Sequence, residues 1–254
     1  MVPIDLSKKV AVITGGTGQL GRTMVRTLAA AGADVAICYY SDKAKAKELL
    51  ADVESKGVRG LMIACDVTSR RSVFKMRDSV TNNLGPADII VINAVSQYKW
   101  VHVLEQPEAD YESQFRTCVL HSALMAKAFV PAMISKKWGR VIGINTECAM
   151  QCWENQSAYA SAKRGMDGVL RVLAREVGSH GITVNQIAPG WMLTENRPDN
   201  GTEYEDRYRK NIPLQRRGND QEIANVVAFL ASDLASFISA AYIPVCGGNV
   251  MPGI

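Results

Sequence analysis

The sequence has few of the features that mark membrane, nucleic-acid-binding or secreted proteins. Of its 254 residues, 29 are Lys or Arg and 25 are Asp or Glu, and the net charge of +4 is spread along the chain without a basic run. Every long apolar stretch is soon interrupted by polar residues, and the amino terminus lacks the pattern of a signal peptide. We therefore expect a cytoplasmic protein that binds neither nucleic acid nor membranes.

Cysteine is present, but its spacing is typical of neither a disulfide framework nor a metal site. A chain of this size without a secretory signal does not need disulfides, so the six cysteines are predicted to be reduced. Cys148 and Cys152 are four residues apart, yet no histidine or second cysteine pair lies near them in the sequence. No metal is therefore expected.

Short β-rich apolar segments alternate with longer amphipathic segments along the whole chain. The predicted strands are Val10–Ile13, Asp34–Tyr39, Gly60–Cys65, Asp88–Ile92, Arg140–Asn145, Thr183–Ile187 and Tyr242–Val245. The predicted helices are Leu20–Ala31, Lys43–Lys56, Arg70–Asn83, Tyr111–Lys136, Ala158–Gly178 and Gln221–Ser232. This alternation predicts an α/β fold in which helices flank a doubly wound parallel sheet of about seven strands.

Neither a linker nor an internal repeat divides the chain, so residues 1–254 are predicted to form a single domain. The longest irregular segment, residues 190–213, is polar and charged. Because long excursions in compact domains are usually functional, we predict a substrate loop or lid there.

The first predicted strand runs into a glycine-rich turn, TGGTGQLG at residues 14–21. Gly16, Gly18 and Gly21 match the G-x-G-x-x-G pattern of dinucleotide sites, and a helix follows directly. Without Cβ atoms the backbone can approach a pyrophosphate, which the amino end of the helix attracts. The turn therefore predicts a Rossmann-type dinucleotide site.

The end of the second predicted strand indicates which dinucleotide is bound. NAD sites usually carry an acidic residue there, which hydrogen-bonds the ribose. Here Asp42 comes late, while Ser41, Lys43 and Arg22 could receive a 2′-phosphate. NADP(H) is therefore favoured over NAD(H); the alternative is that Asp42 caps the next helix and Lys43 is simply solvated.

Tyr159 and Lys163 lie four residues apart on a predicted helix and therefore share one face. A phenol has a pKa of about 10, and an adjacent ammonium lowers it toward the working range of an acid–base group. The pair suits proton transfer, although the same spacing also occurs on solvated helices.

Further motifs lie along the chain, before and after the Tyr159–Lys163 pair. Cys65-Asp66-Val67 comes after the third predicted strand, residues 184–190 read VNQIAPG, residues 212–216 read IPLQR, and FLASD precedes a final Gly-Gly pair. In order and spacing the sequence resembles, over almost its whole length, the single-domain branch of the short-chain dehydrogenase/reductase family. The resemblance implies an oxidoreductase that transfers hydride between a nicotinamide and a carbonyl or secondary alcohol.

The resemblance also implies roles for individual residues. Tyr159 would be the acid or base, Lys163 would lower its pKa, and Thr146 would hold the substrate oxygen where the family has serine. The residues implied in cofactor binding are Gly15, Thr17, Gly18, Gln19, Leu20, Tyr40, Ser41, Lys43, Asp66, Val67, Asn93, Ala94, Tyr159, Lys163, Pro189, Gly190, Met192 and Thr194. Candidates for substrate contact are Gln97, Glu147, Trp153 and Trp191, with Trp153 equally suited to subunit packing.

Several departures from the family pattern lie near the expected chemistry. Cys118 replaces the helix asparagine that anchors a proton-relay water, Gln19 replaces a glycine of the phosphate turn, and Val95 replaces a later glycine. Because a thiol is a weak hydrogen-bonding group, either protons are relayed differently or activity is modest. The departures leave open a non-catalytic NADP(H)-binding sensor or scaffold, against which the intact Tyr159–Lys163 pair argues.

Within the family the nearest likenesses are 3-oxoacyl-carrier-protein reductases and sugar or polyol dehydrogenases, and the residues do not choose between these substrates. A sugar-nucleotide epimerase, suggested by the glycine spacing, would need a longer carboxy-terminal region. The resemblance further implies a homotetramer, with a dimer as the fallback, in which the helices at 111–136 and 158–178 pack across two-fold axes. The alternative is that the sheet covers their apolar faces completely.

Overall fold

Seven parallel strands form one sheet in the order β3-β2-β1-β4-β5-β6-β7. The structure is a computed structural model that describes residues 4–195 and 198–252. The strands are β1 (Val10–Thr14), β2 (Asp34–Tyr39), β3 (Gly60–Ala64), β4 (Ile89–Ile92), β5 (Gly139–Ile144), β6 (Ile182–Pro189) and β7 (Tyr242–Val245). The order reverses between β1 and β4, and in such sheets ligands bind in the crevice at this switch point.

Helices cover both faces of the sheet. They are α1 (Gln19–Ala30), α2 (Lys43–Glu54), α3 (Arg70–Asn83), α4 (Glu108–Phe115), α5 (His121–Lys136), α6 (Cys148–Gln151), α7 (Ser157–Val177), α8 (Glu203–Asn211) and α9 (Asp220–Ala231). Alternate residues of β1 enter opposite cores, with Val12 packing on the side of α5 and α7 and Ile13 on the side of α1 and α9. This two-sided burial explains the continuous apolar runs of the strands and confirms the predicted doubly wound fold.

Most predicted elements are confirmed to within two residues, and two predictions are corrected. The single helix predicted for Tyr111–Lys136 is α4 and α5 joined by a π-helical turn, Arg116–Leu120. The predicted irregular segment 190–213 contains helix α8, and its residues Asn196 and Arg197 lie outside the described residues. Thr202 and Glu205 form a capping box at the start of α8, a pattern that is readable in the sequence.

The segment Glu108–Lys136 is long and apolar enough to cross a membrane, and it alone meets that criterion within residues 4–195 and 198–252. Its most apolar 18-residue window is 56% buried inside the protein. Met125, Phe129 and Met133 pack there against the sheet and α7. The segment is therefore a core element of the α/β fold.

Candidate active site

The glycine-rich turn between β1 and α1 forms a tight cradle. Gly15 has a φ of +63°, and Gly18 N donates to Gly15 O at 2.9 Å. A Cβ atom on Gly21 would lie 2.1 Å from Gly15 O, so no larger residue fits without moving the backbone. Gly18 is the N-cap of α1 and supplies no side-chain cap. The first N–H groups of the helix therefore suit an anionic group such as a diphosphate.

Asn93, directly after β4, holds this turn in place. Its Nδ2 donates to Thr14 O at 3.0 Å and to Gly15 O at 3.1 Å. The hydroxyl of Thr14 accepts from the backbone N–H groups of Asn93 and Ala94 at 3.0 and 3.2 Å. Asn93 and Ala94 are thus brought beside the cradle, as the resemblance implies.

The end of β2 is followed by four exposed residues, Tyr40, Ser41, Asp42 and Lys43. The carboxylate of Asp42 accepts from Lys45 N at 2.9 Å and caps α2, so it has the role that the sequence left as an alternative. The guanidinium of Arg22 is not available to a ligand at the end of β2, because Arg22 is 2% exposed and pairs with Glu195. This pairing argues against the suggestion that Arg22 receives a 2′-phosphate.

Beyond β3, Asp66 and Val67 form a short turn before α3. Asp66 Oδ1 accepts from Thr68 N at 2.9 Å and from Thr68 Oγ1 at 2.7 Å, and Val67 is buried. These contacts fix the loop at the same edge of the sheet as the cradle.

Tyr159, Thr146 and Lys163 meet at the carboxyl ends of β4 and β5. Tyr159 lies in the first turn of α7, and its phenol lies beside the side chain of Thr146, which follows β5. Lys163 Nζ is 5.7 Å from the centre of the Tyr159 ring and donates to Ile144 O at 2.5 Å. The three residues predicted to be catalytic are therefore neighbours.

The pKa of Tyr159 moves opposite to the sequence expectation. Burial raises the pKa of the phenol, and the neighbouring Cys148 and Cys118 add to the rise. The nearby hydroxyl of Thr146 acts in the opposite direction. Burial also lowers the pKa of Lys163. The low-dielectric surroundings therefore disfavour the charged forms of these groups, the phenolate of Tyr159 and the ammonium of Lys163.

Two aromatic residues of the loop after β4 contact Tyr159 directly. Tyr98 Oη accepts from Tyr159 N at 2.8 Å, and burial raises the pKa of Tyr98 to about 12. The ring of Trp100 stacks on that of Tyr159, with ring centres 5.9 Å apart and planes inclined by 26°. Trp100 was missed by sequence reasoning, and only its place after a strand end hinted at a role.

His121 and Cys118 lie together at the π-helical turn. Both are buried, and His121 Nδ1 is 3.0 Å from Thr117 O. Burial lowers the pKa of His121 to about 4, against the opposing effect of the Thr117 carbonyl. A π-helical turn often marks a functional position, and it changes which side chains of α4 and α5 face the site. The sequence gives no signal for it.

Two of the residues predicted to contact substrate, Glu147 and Trp191, contact helix α8. Glu147 accepts from Tyr208 Oη at 2.6 Å and from Asn249 Nδ2 at 3.0 Å, and burial raises its pKa. Trp191 packs against Tyr208 and lies 4.1 Å from the Arg217 guanidinium. Substrate contact by Glu147 and Trp191 stays a prediction, and the other two candidates, Gln97 and Trp153, are exposed.

The remaining predicted cofactor residues follow β6. Pro189 ends the strand, Met192 is buried, and Thr194 Oγ1 donates to Gln19 Oε1 at 2.7 Å. A Cβ atom on Gly190 would lie 2.8 Å from Tyr208 Oη. Gly190 therefore lets helix α8 approach the end of β6. Across the described ranges, His, Cys, Asp and Glu form no group of three that could hold a metal ion.

Comparisons with known proteins agree with this geometry. A family model described as enoyl-(acyl carrier protein) reductase matches residues 17–249. The 3-oxoacyl-[acyl-carrier-protein] reductase of Pseudomonas aeruginosa is 32% identical over 248 residues, which cover 98% of this chain and 100% of that protein.

Two solved structures are similar over nearly the full length. A blue fluorescent protein from a metagenomic library, in complex with NADPH, has a TM-score of 0.90 and 32% identity, covering 97% of this chain and all of that one. A 7α-hydroxysteroid dehydrogenase with NADH and 7-oxo glycochenodeoxycholic acid has a TM-score of 0.91 and 29% identity, covering 98% and 97%. The chain therefore belongs to the short-chain dehydrogenase/reductase family of oxidoreductases.

Proposed function

We propose that the chain is an NADP(H)-dependent carbonyl reductase in which Tyr159 donates the proton. The observation that carries this proposal is the contact between the Tyr159 phenol and the Thr146 side chain, at the same sheet edge as the glycine cradle. Burial keeps the phenol protonated, which is the form needed to deliver a proton to a carbonyl oxygen.

Each group of residues in the site would have a separate role in the reaction. The bound nicotinamide would supply the hydride, and the cradle with the amino end of α1 would hold its diphosphate. Thr146 and Tyr159 would hold the substrate oxygen by two hydroxyl groups. Lys163, fixed by Ile144 O, would stabilise the negative charge that develops on the phenol as its proton leaves.

The preference for NADP(H) is supported by the end of β2. Ser41 and Lys43 are exposed there, and the carboxylate of Asp42, also exposed, accepts a hydrogen bond from the first turn of α2. A 2′-phosphate could thus be bound by a hydroxyl and an ammonium. Of the similar structures, one holds NADPH and others hold NADH or NAD+.

We propose a partly apolar carbonyl substrate, with 3-oxoacyl thioesters as the first candidates because of the similar reductases. Trp100, which is exposed and stacks on Tyr159, would provide apolar surface for the substrate. Trp153 is also exposed and stays a candidate for substrate contact. We also propose a cytoplasmic homotetramer, with a dimer as the smaller possibility. In support, Phe115 is 56% exposed beside Val119 and Ala162, which leaves apolar surface on α4 and α7 for another copy.

The test is oxidation of NADPH by the purified protein with 3-oxoacyl thioesters, ketones and ketoses, followed by absorbance. Tyr159→Phe should lower kcat about 100-fold or more, because it removes a general acid, while NADPH still binds. Tyr111→Phe is the matched control, since its hydroxyl bonds Ser157 of the same helix but lies outside the site. Equal turnover by the wild type and Tyr159→Phe would refute the assignment of the acid.

A second candidate function is non-catalytic binding of NADP(H). Two observations favour it: a buried thiol, Cys118, lies near Tyr159, and the indole of Trp100 stacks on the phenol. Tight binding of NADPH without turnover of any carbonyl in the panel would support this function and contradict the first.

A further inference from the structure

Three side-chain contacts join α1 to the segment that follows β6. Thr194 Oγ1 donates to Gln19 Oε1 at 2.7 Å. The carboxylate of Glu195 pairs with Arg22 and lies 3.3 Å from Arg26 Nη1. Gln19 is the first residue of α1, and its amino end forms the cradle. These contacts therefore connect the segment to the helix whose amino end would hold a diphosphate.

The other side of this segment is fixed to the body of the protein. Leu193 N donates to Gly218 O at 2.7 Å, and Asp220 N donates to Leu193 O at 3.2 Å. These bonds make a short parallel bridge beside the start of α9. Leu193 thus anchors the segment to the body of the protein, and the side chains of Thr194 and Glu195 join it to α1.

The opposite charges of Arg22 and Glu195 stabilise the contact between α1 and residues 193–195. The side chain of Arg22 is 3% exposed, and its Nε is buried without a hydrogen-bond partner in the described part of the chain. A buried guanidinium strongly favours a nearby carboxylate, because an unpaired charge in the interior is costly. Glu195 supplies that carboxylate while remaining 53% exposed, so it can reach solvent when the contact opens.

We propose that Gln19, by its bond to Thr194, and Glu195, by its ion pair with Arg22, form a strap. This strap would hold residues 193–195 across the diphosphate of a bound dinucleotide and slow its release. The proposal rests on the proposed function, because it requires a dinucleotide at the amino end of α1. The backbone of the cradle binds the ligand, and the two side chains act as positioning residues that keep the cover in place.

The experiment measures release of NADPH and, separately, of NADH by stopped-flow fluorescence, with excess oxidised dinucleotide as the chase. Gln19→Ala should speed release about fivefold, as expected for the loss of one hydrogen bond. Glu195→Gln should speed it about twofold to fivefold, and this effect should shrink at high salt, because it depends on partly exposed ion pairs. Thr27→Ala is the control, since Thr27 joins the same helix to α9 through Gln221, away from the groove.

The outcomes separate the strap from the proposed function. If the wild type binds neither dinucleotide, the proposed function fails. If it binds them and all variants release them at the wild-type rate, only the strap fails. The strap acts on the diphosphate that both ligands share, so equal fold-changes for NADPH and NADH support it. An effect confined to NADPH would overturn it, because the Arg22–Glu195 pair would then be sensing the 2′-phosphate.

Discussion

Removing the hydroxyl of Tyr208 tests whether helix α8 is held by the buried carboxylate of Glu147. Tyr208 Oη donates to Glu147 Oε1 at 2.6 Å and accepts from Trp191 N at 2.7 Å. Both Tyr208 and Glu147 are buried, with 6% and 3% of their surfaces exposed. Tyr208→Phe keeps the ring and deletes only these two bonds.

The expected loss of stability follows from the two bonds. A hydrogen bond to a charged group contributes about 1.5–3 kcal/mol, and an unsatisfied buried N–H costs about 1–3 kcal/mol. Because small backbone shifts can relieve part of this cost, we expect a loss of roughly 3 kcal/mol in the free energy of unfolding. For a chain of this length that corresponds to a fall in Tm of about 6–12 °C.

The loss should depend on pH in a defined direction. Burial raises the pKa of Glu147 above its ordinary value, while the Tyr208 hydrogen bond lowers it. The buried carboxylate therefore costs stability at high pH, and that cost is removed as pH falls through the folded pKa. Without the Tyr208 hydroxyl the pKa rises further, so the difference between wild type and variant should be larger at about pH 8 than at about pH 5.

Urea unfolding followed by tryptophan fluorescence measures both effects. Tyr204→Phe is the control, because Tyr204 also contacts Trp191 from α8 but is 62% exposed. It should change the free energy of unfolding by less than about 0.5 kcal/mol. A Tyr208→Phe protein as stable as the wild type, or equally weakened at both pH values, would refute the reasoning.

Four further predictions follow from single positions. Gly21→Ala should destabilise the protein by about 1–3 kcal/mol and abolish dinucleotide binding by calorimetry, since its Cβ would lie 2.1 Å from Gly15 O. In contrast, Gly168→Ala on α7, where a Cβ meets nothing within 4 Å, should stabilise it by about 0.5–1 kcal/mol. His121 has a folded pKa of about 4 against an ordinary 6.5, so its neutral form contributes stability that is lost as pH falls between these values, on the order of 3 kcal/mol; His121→Gln should remove this part of the acid sensitivity in urea titrations. Asp42→Ala should cost about 1 kcal/mol in thermal unfolding by losing the cap of α2, while Asp42→Asn should cost little.

Local patterns were enough to predict the fold and the cradle. Strand and helix periods repeat along the chain, and a parallel sheet with right-handed connections is the arrangement that such alternation favours. The glycine turn and the Tyr159–Lys163 spacing are also local, because each depends on residues within one turn or one helix. The π-helical turn was missed, since one extra residue in a helical turn leaves no mark on the apolar pattern of Tyr111–Lys136.

The amino-acid sequence alone determined the sheet and its helical layers, and the family resemblance implied that Thr146, Tyr159 and Lys163 act together. Only the tertiary structure decided that Glu147 bonds Tyr208 across 61 positions and that Thr194 bonds Gln19 across 175. It also decided the direction of the Tyr159 pKa, because burial is set by every element packed around the phenol, whereas the sequence shows only the charge four residues away.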